Sequence, residues 1–202
     1  DRRQRQMCIR DSSRVDCCEL VQTKDASEVE DHKIELIGPD IDEFEVGSKH
    51  SIAYVVEVAG KSMQPDFEPV FERKFHSYLN CIEGVMHTGQ RDMIRIRVSK
   101  EAFNAGFRAK HFGEVLYAQV KNEFEAVVDK CQVKIYTNPE DCTKIRHEIA
   151  IPVFDKRDER LSTMTDESVP VYYSCIMCQA FSPSHVLSLI HISEPTRLDV
   201  IS

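Results

Sequence analysis

Two neighbouring stretches decide the fold: SIAYVVEVAG at 51–60 and FEPVFERKFHSYL at 67–79. The first is a short, β-branched apolar run that stops at Gly60, which predicts a buried strand. In the second, apolar residues recur every three or four positions, the period of an amphipathic helix: Phe67, Val70, Phe71, Phe75, Tyr78 and Leu79. We expect this helix to end near Gly84, because glycine commonly follows the last helical turn.

Further strands are predicted on both sides of this pair. The segment KIELIG at 33–38 is β-rich and is stopped by Gly38 and the proline after it. MIRIRV at 93–98 alternates apolar residues with arginine, as a half-exposed strand does, and CQVKIY at 131–136 alternates in the same way.

Two helical regions are predicted between and after these strands. Ser99 offers an N-cap for a region that continues to about Phe124, with interruptions at Gly106 and Gly113. The sequence NPE at 138–140 opens another helix, which Pro152 should break or end.

The segment DKRDERLSTMTDESV at 155–169 is highly charged and has no apolar stripe, so we interpret it as a linker or surface turn. Strands and helices mix through the sequence before it. The predicted fold class is therefore α+β, a mixed sheet with flanking helices, with α/β as the alternative. A new unit should begin after about Thr165.

Charge and hydropathy exclude several classes of protein. The chain has 34 acidic and 26 basic residues, a formal net charge of −8, which argues against a nucleic-acid partner recognised by bulk charge. No apolar run approaches the roughly 20 residues that a membrane-spanning helix needs. We therefore expect a soluble protein with no membrane partner.

The two ends have a separate origin in our interpretation. MCIRDS at 7–12 and LSLIHIS at 187–193 are the translations, in opposite orientation, of one transposase adapter used in DNA library preparation. We expect residues 1–12 and 187–202 to be adapter-derived rather than native, and we exclude them from fold reasoning. Cys8 and His191 are accordingly not counted as metal ligands.

The cysteines do not form a disulfide framework. Most of the 8 are scattered singly among charged residues, which is typical of a protein from a reducing compartment. Isolated cysteines such as Cys81 and Cys131 are expected to behave as small buried apolar residues.

One cysteine pair has the spacing of a ligand pair. In YYSCIMCQAF at 172–181, two residues separate Cys175 from Cys178, so both thiolates can turn toward one metal or cluster. Half of a zinc ribbon, a redox dithiol and a ferredoxin-like ligand pair all remain open on this motif alone. A thioredoxin-like site is disfavoured because the pair follows a charged stretch rather than a strand early in the domain.

A second group of polar residues surrounds the turn before 93–98: His87, Gln90, Arg91, Arg95 and Arg97. Arginine suits bidentate contact with phosphate, so this group is a candidate phosphate site. The alternative is a solvated strand face. The charged side chains of Arg146, His147, Arg157 and Arg160 are expected to be exposed.

Several segments, taken in order, resemble the acetyl-CoA synthase family: EVEDHKIELIGPDIDEFEVGS, FEPVFERKFH, HTGQRD, GFRAKHFGEVLYA, KRDERLSTMTDESV and YYSCIMCQAFSPSHV. The resemblance runs from the middle region of that family into the start of its metal-binding region. It implies a middle α+β domain at 13–165 and a truncated start of the nickel–iron–sulfur domain at 166–186.

The resemblance also implies an activity and its site. The family joins a methyl group carried by a corrinoid iron–sulfur protein, CO from a carbon monoxide dehydrogenase subunit, and coenzyme A into acetyl-CoA, in the cytoplasm of anaerobes. Its [4Fe–4S] cluster is joined through a cysteine sulfur to a two-nickel centre. By this resemblance Cys175 is a cluster ligand, Cys178 bridges the cluster to nickel, and Phe181 lies beside the reactive nickel. Arg91, Arg95 and Arg97 become candidates for the coenzyme A phosphates.

The sequence departs from the family after SPSHV at 182–186, where further cysteines are expected and adapter translation begins instead. The ligand set is then incomplete, so we expect this internal fragment to be inactive by itself. The alternative is a non-catalytic module in which Cys175 and Cys178 form half of a structural zinc site, with His185 as a possible further ligand.

Overall fold

The computed structural model describes residues 15–44, 49–61, 63 and 67–163. Along the chain the elements are β1 (Cys17–Thr23), β2 (Lys33–Ile37), β3 (Ile52–Ala59), α1 (Glu68–Leu79), β4 (Val85–Gln90), β5 (Met93–Val98), α2 (Lys100–Asn104), α3 (Ala109–Glu123), β6 (Lys130–Tyr136), α4 (Pro139–Lys144), a π-helical segment (Ile145–Ala150) and α5 (Ile151–Thr163).

Four strands form a mixed sheet in the order β1-β3-β6-β2. β1 runs parallel to β3, β3 runs antiparallel to β6, and β6 runs parallel to β2. Helices cover both faces of this sheet, so the predicted mixed sheet with flanking helices is confirmed. The strands predicted at 33–38, 51–60, 93–98 and 131–136 are present, and so is the helix predicted to begin near Phe67. This helix ends at Leu79, before the predicted end near Gly84.

The main core lies between the sheet and helices α1 and α3. Its largest fully buried side chains include Tyr54 of β3, Phe71 and Phe75 of α1, and Phe112 and Leu116 of α3. Full burial of one such Leu or Phe side chain contributes roughly 1.5–3 kcal/mol, so these rings fix the two helices on the sheet.

A smaller apolar cluster lies on the other face of the sheet. Cys18 and Leu20 of β1 pack there against Cys142 of α4, Ala150 of the π-helical segment and Phe154 of α5. This cluster attaches the last helix of the described region to the first strand of the sheet.

Two strands were missed by the sequence interpretation. β1 was assigned no structure, and β4 was taken only as a turn before β5. β4 and β5 form an antiparallel hairpin whose turn contains Arg91, with a φ of 58°. The hairpin packs by one face on the core and is joined to β1 by a hydrogen bond from the Glu19 N–H to the Arg91 carbonyl, at 2.6 Å.

The predicted glycine interruptions are half right. Gly106, with a φ of +94°, follows the end of α2, whose N-cap is Ser99 as predicted. Gly113, in contrast, lies inside α3 and does not interrupt it. A Cβ at Gly113 would come within 2.6 Å of Ile34 Cγ2, so the glycine allows α3 to approach the sheet closely.

The prediction that Pro152 breaks or ends a helix is wrong about an end, because the helical region continues to Thr163, and right about a break, because a π-helical segment interrupts the regular α-helix just before it. The proline lies in the first turn of α5, directly after the π-helical segment, where a missing backbone N–H costs little. The interpretation of 155–169 as a linker is also wrong for Asp155–Thr163, which belongs to α5. Its contacts with the rest of the protein include Phe154 in the smaller apolar cluster and the guanidinium of Arg157, which binds carboxylates, so the helix needs no long apolar stripe.

Arg146 and Arg157 are not exposed as expected. Arg146 is 9% exposed and pairs with Asp16 and Asp92, and the Arg157 side chain is 13% exposed. Both bind carboxylates from distant parts of the sequence, which local charge patterning does not reveal.

No helix within the described ranges is both long and apolar enough to span a membrane. The segments predicted to be adapter-derived, 1–12 and 187–202, and the predicted second unit at 166–186 lie outside the described residues. Their assignments stay predictions.

Candidate functional site

The predicted metal ligands Cys175 and Cys178, together with Phe181, lie outside the described residues. They follow α5, the last described helix. Within the described part of the chain, no three His, Cys, Asp or Glu side chains are grouped as a metal site.

Three of the described cysteines are poor candidates for metal ligands. Cys18, Cys131 and Cys142 are fully buried among apolar side chains, and burial raises the pKa of Cys131 and of Cys142 to about 12. Thiols with such pKa values stay protonated and act as packing groups. The expectation of burial is confirmed for Cys131 and is wrong for Cys81, which is exposed.

Arg95 and Arg97 lie side by side on the outer face of the β4–β5 hairpin. In the register of the hairpin, Arg97 is opposite Met86 and Arg95 is opposite Thr88. Both guanidinium groups are exposed, and neither forms an ion pair with any described residue. These two arginines are therefore open to an anionic ligand.

The same face exposes two large apolar side chains. Met86 is 40% exposed and Met93 is 73% exposed. The face thus combines positive charge with apolar area, whereas the chain as a whole carries a net charge of −8.

Arg91 has a different environment at the turn of the hairpin. Its two terminal nitrogens donate to the two carboxylate oxygens of Asp158 at 2.8 and 2.6 Å. The guanidinium also lies over the Phe154 ring, 4.8 Å from its centroid. Arg91 therefore connects the hairpin to α5, and a phosphate would have to displace Asp158 to bind it.

His87, which the sequence groups with these arginines, is on the opposite side of the hairpin. It is 0% exposed, and its Nε2 lies 2.6 Å from Oε1 of Glu19, which is also 0% exposed. Period-two alternation along β4 accounts for the separation, since Met86 and Thr88 point outward when His87 points inward.

The outer edge of β1 is closed by carboxylates that the sequence interpretation missed. The N–H of Val21 donates to Glu72 Oε1 at 2.9 Å, and the N–H of Thr23 donates to Glu68 Oε1 at 2.6 Å. Glu68 and Glu72 are four residues apart on α1, so they share its buried face. An acidic pair on an otherwise apolar helix face was the signal available in the sequence.

Arg157 of α5 binds both carboxylates and the backbone of β1 at this edge. One nitrogen donates to both oxygens of Glu72, at 2.8 and 2.9 Å, and the other donates to Glu68 Oε2 at 2.6 Å and to the Val21 carbonyl at 3.0 Å. Burial raises the pKa of Glu72 to about 7, although the charge of Arg157 opposes this effect. The cluster ties α5, α1 and β1 together.

By fold and geometry alone, the described region is a mixed-sheet domain with an arginine-bearing hairpin. Comparison with known proteins identifies the family. Residues 2–142 match the family model described as CO dehydrogenase/acetyl-CoA synthase complex beta subunit, and residues 154–200 match the model of the C-terminal part of the ACS/CODH beta subunit. The chain belongs to the acetyl-CoA synthase family.

Individual relatives agree with this assignment. The carbon monoxide dehydrogenase/acetyl-CoA synthase subunit alpha of Moorella thermoacetica is 47% identical over 174 residues, which are 86% of this chain and 24% of that protein. The acetyl-CoA decarbonylase/synthase complex subunit beta 2 of Methanocaldococcus jannaschii is 46% identical over 170 residues, 83% of this chain and 35% of that protein. The chain thus spans about a quarter to a third of the length of these relatives.

Proposed function

We propose that this chain is part of an acetyl-CoA synthase, the enzyme that joins a corrinoid-carried methyl group, CO and coenzyme A into acetyl-CoA. The observation that carries the proposal is the position of Cys175 and Cys178. This pair falls within residues 154–200, which match the C-terminal region of the family's beta subunit. Thiolates two residues apart suit an iron–sulfur cluster, and soft sulfur ligands also suit nickel.

In this proposal Cys175 would be a ligand of the [4Fe–4S] cluster, and Cys178 would be a ligand of the cluster and of the nickel centre. Phe181 would supply an apolar side chain near that centre. The metal centre, when bound, supplies the chemistry that joins the methyl and carbonyl groups. The role of the polypeptide is to hold the ligands, orient the reactants and keep water away.

The acceptor of the acetyl group is proposed to be coenzyme A, whose phosphates need cationic partners. Arg95 and Arg97 are exposed and adjacent on β5, and no described carboxylate pairs with them. Arg91 is engaged by Asp158 and is the weaker candidate of the three. A carbon monoxide dehydrogenase subunit and a corrinoid iron–sulfur protein are the proposed protein partners, in the cytoplasm of an anaerobe.

The chain by itself is proposed to be inactive. Cys175 and Cys178 give two thiolates, fewer than the proposed cluster and nickel centre need. The buried thiols of Cys18, Cys131 and Cys142 are committed to the described domain and are poor replacements. The remaining ligands must come from other residues of the complete protein.

The proposal is tested on the complete protein, translated from the uninterrupted reading frame and prepared without oxygen. Iron, nickel and zinc are measured together with acetyl-CoA formation from a methylated corrinoid protein, CO and coenzyme A. We expect iron and nickel to bind, and both metals and activity to be lost in Cys175→Ala and Cys178→Ala. Cys81→Ala is the matched control, because Cys81 is an exposed free thiol on the described domain.

Stoichiometric zinc without iron, nickel or activity would instead establish the structural zinc module. Retention of iron, nickel and activity in both cysteine variants would refute the assignment of these two ligands.

A further inference from the structure

Three polar side chains are completely buried between the sheet and the β4–β5 hairpin. Glu19 of β1, Tyr54 of β3 and His87 of β4 are each 0% exposed. Their surroundings are apolar, since Tyr54 belongs to the main core and its ring packs edge-on against Phe112 at 5.9 Å. Ionisable groups in such a place require an explanation, because burial without compensation is costly.

His87 lies between the other two groups' side chains and is near both. Nε2 of His87 lies 2.6 Å from Oε1 of Glu19, and the rings of Tyr54 and His87 are 6.5 Å apart at their centroids. Among the described residues, neither the Glu19 carboxylate, nor the Tyr54 hydroxyl, nor either ring nitrogen of His87 has a well-aligned hydrogen bond. The contact between Glu19 and His87 is therefore held by proximity and charge rather than by a directed network.

This contact is also a connection between two structural units. Glu19 lies on the edge strand of the four-stranded sheet, and His87 lies at the centre of the inner face of the hairpin, opposite Ile96. The side chain of Asn80 fixes the backbone of His87 from the end of α1, accepting from its N–H at 2.7 Å and donating to its carbonyl at 2.9 Å. The imidazole is thereby held facing Glu19.

The net charge of the buried Glu19–His87 pair depends on whether the pair holds one proton or none. With one shared proton, the pair is neutral overall, either as carboxylate and imidazolium or as carboxylic acid and imidazole. With no proton, a net negative charge is buried. An apolar core tolerates the first state far better than the second. In water, a separated glutamate and histidine hold no proton above a pH of about 7.

We propose that Glu19 and His87 form a one-proton lock, which holds the β4–β5 hairpin on the sheet edge and opens as the pH rises. The lock acts on the segment that carries Arg95 and Arg97 and on the turn through which Arg91 binds α5. Its opening would loosen both surfaces together. The proposal does not depend on the assigned enzymatic activity.

The charged and titratable groups around the Glu19–His87 pair support opening at higher rather than lower pH. Burial raises the pKa of Glu19, while the short contact with the His87 ring, the charge of His87 and, more weakly, the charge of His76 on α1 lower it in part. Tyr54 adds no charge, since burial and the nearby Glu19 raise its pKa further above its ordinary value. A carboxyl with a raised pKa stabilises the folded state below its ordinary pKa, and this contribution is lost as the pH rises.

The test is hydrogen exchange of the whole chain, followed by mass spectrometry from about pH 6 to about pH 9 and corrected for the intrinsic exchange rate. We expect the open population of the hairpin, residues 85–98, to increase by up to about tenfold per pH unit, because opening releases one proton. Residues 109–123 of α3 serve as an internal reference and should not show this dependence.

Glu19→Gln is the variant that removes the proton requirement. With a neutral amide at position 19 and a neutral imidazole at His87, the buried pair carries no net charge and needs no shared proton. In this variant the hairpin should stay protected at high pH and lose its pH dependence, whereas Glu35→Gln on the exposed part of β2 should behave as the original chain. A hairpin whose corrected exchange in the original chain is independent of pH overturns the proposal, whether or not Glu19→Gln folds. Unchanged pH dependence in a folded Glu19→Gln variant also overturns it.

Discussion

The two edge strands of the central sheet, β1 and β2, are protected from further strand pairing in different ways. In β1, the outward N–H groups of Val21 and Thr23 bind the carboxylates of Glu72 and Glu68, and Arg157 of α5 forms ion pairs with both carboxylates. β2 is only five residues long and carries the exposed pair Lys33 and Glu35, 3.4 Å apart. A short, charged strand resists further pairing at little cost, whereas the closed edge depends on buried charge.

This difference indicates where a substitution should lower the stability of the domain most. The closed edge is the one that holds α5, the helix that leads toward Cys175 and Cys178. Its stability depends on a cation and two carboxylates that are far apart in sequence and mostly hidden from water. The open edge depends instead on the packing of α3 over Ile34 and Leu36.

The largest effect is expected from Arg157→Ala. Glu68 and Glu72 would then be left buried without their counter-charge, at a cost of roughly 3–5 kcal/mol in the free energy of unfolding. Urea unfolding measures this loss. Arg95→Ala is the control, since Arg95 is exposed and should change stability by less than about 0.5 kcal/mol. Equal effects of the two variants would show that the closed edge is not held by Arg157.

The second prediction concerns Glu72 and pH. Its folded pKa of about 7 lies above the ordinary value of 4.5, so its contribution to stability is complete below pH 4.5 and is lost as the pH rises through about 7. The total is on the order of 3 kcal/mol. The free energy of unfolding, measured across this range, should fall with pH in the original chain and fall less steeply in Glu72→Gln, where only other buried groups such as Glu19 still contribute. An identical slope in both would assign it to another group.

Gly113→Ala tests the packing at the open edge. The added methyl group would lie 2.6 Å from Ile34 Cγ2 and 3.2 Å from Ile135 Cδ1, so α3 would have to move away from β2 and β6. We expect a loss of roughly 1–3 kcal/mol, measured by thermal or urea unfolding. A gain in stability, as alanine normally gives in a helix, would mean that the contact is not tight.

The smallest effect is expected from Lys33→Ala. The pair that Lys33 forms with Glu35 is exposed, and exposed ion pairs contribute little. Unfolding by urea should give the same midpoint as the original chain. A clear loss would show that the open edge, like the closed one, depends on charge.

Regular patterns in the sequence predicted most of the sheet and helices. β2, β3, β5 and β6 alternate or form apolar runs, and α1 has a clear apolar period, so local pattern and tertiary structure agree. β1 and β4 were missed because Glu19 and His87 interrupt their apolar pattern. These two residues are buried only because each strand provides the partner for the other, which no single segment reveals.

The candidate site was predictable to a different extent. The outward position of Arg95 and Arg97 follows from the alternation of MIRIRV at 93–98. The ion pair between Arg91 and Asp158, which is 67 positions away, does not follow from any local pattern. Nor does the edge cluster of Arg157, because it depends on how α5 crosses the sheet. The assignments of Cys175, Cys178 and Phe181 remain predictions based on family resemblance.

Nickel K-edge X-ray absorption of the complete, oxygen-free protein tests the central claim most directly. We predict sulfur ligands at nickel that are reduced or lost in Cys178→Ala and unchanged in Cys81→Ala. A nickel spectrum that is identical in the original protein and in Cys178→Ala would contradict the claim that this cysteine binds the metal centre.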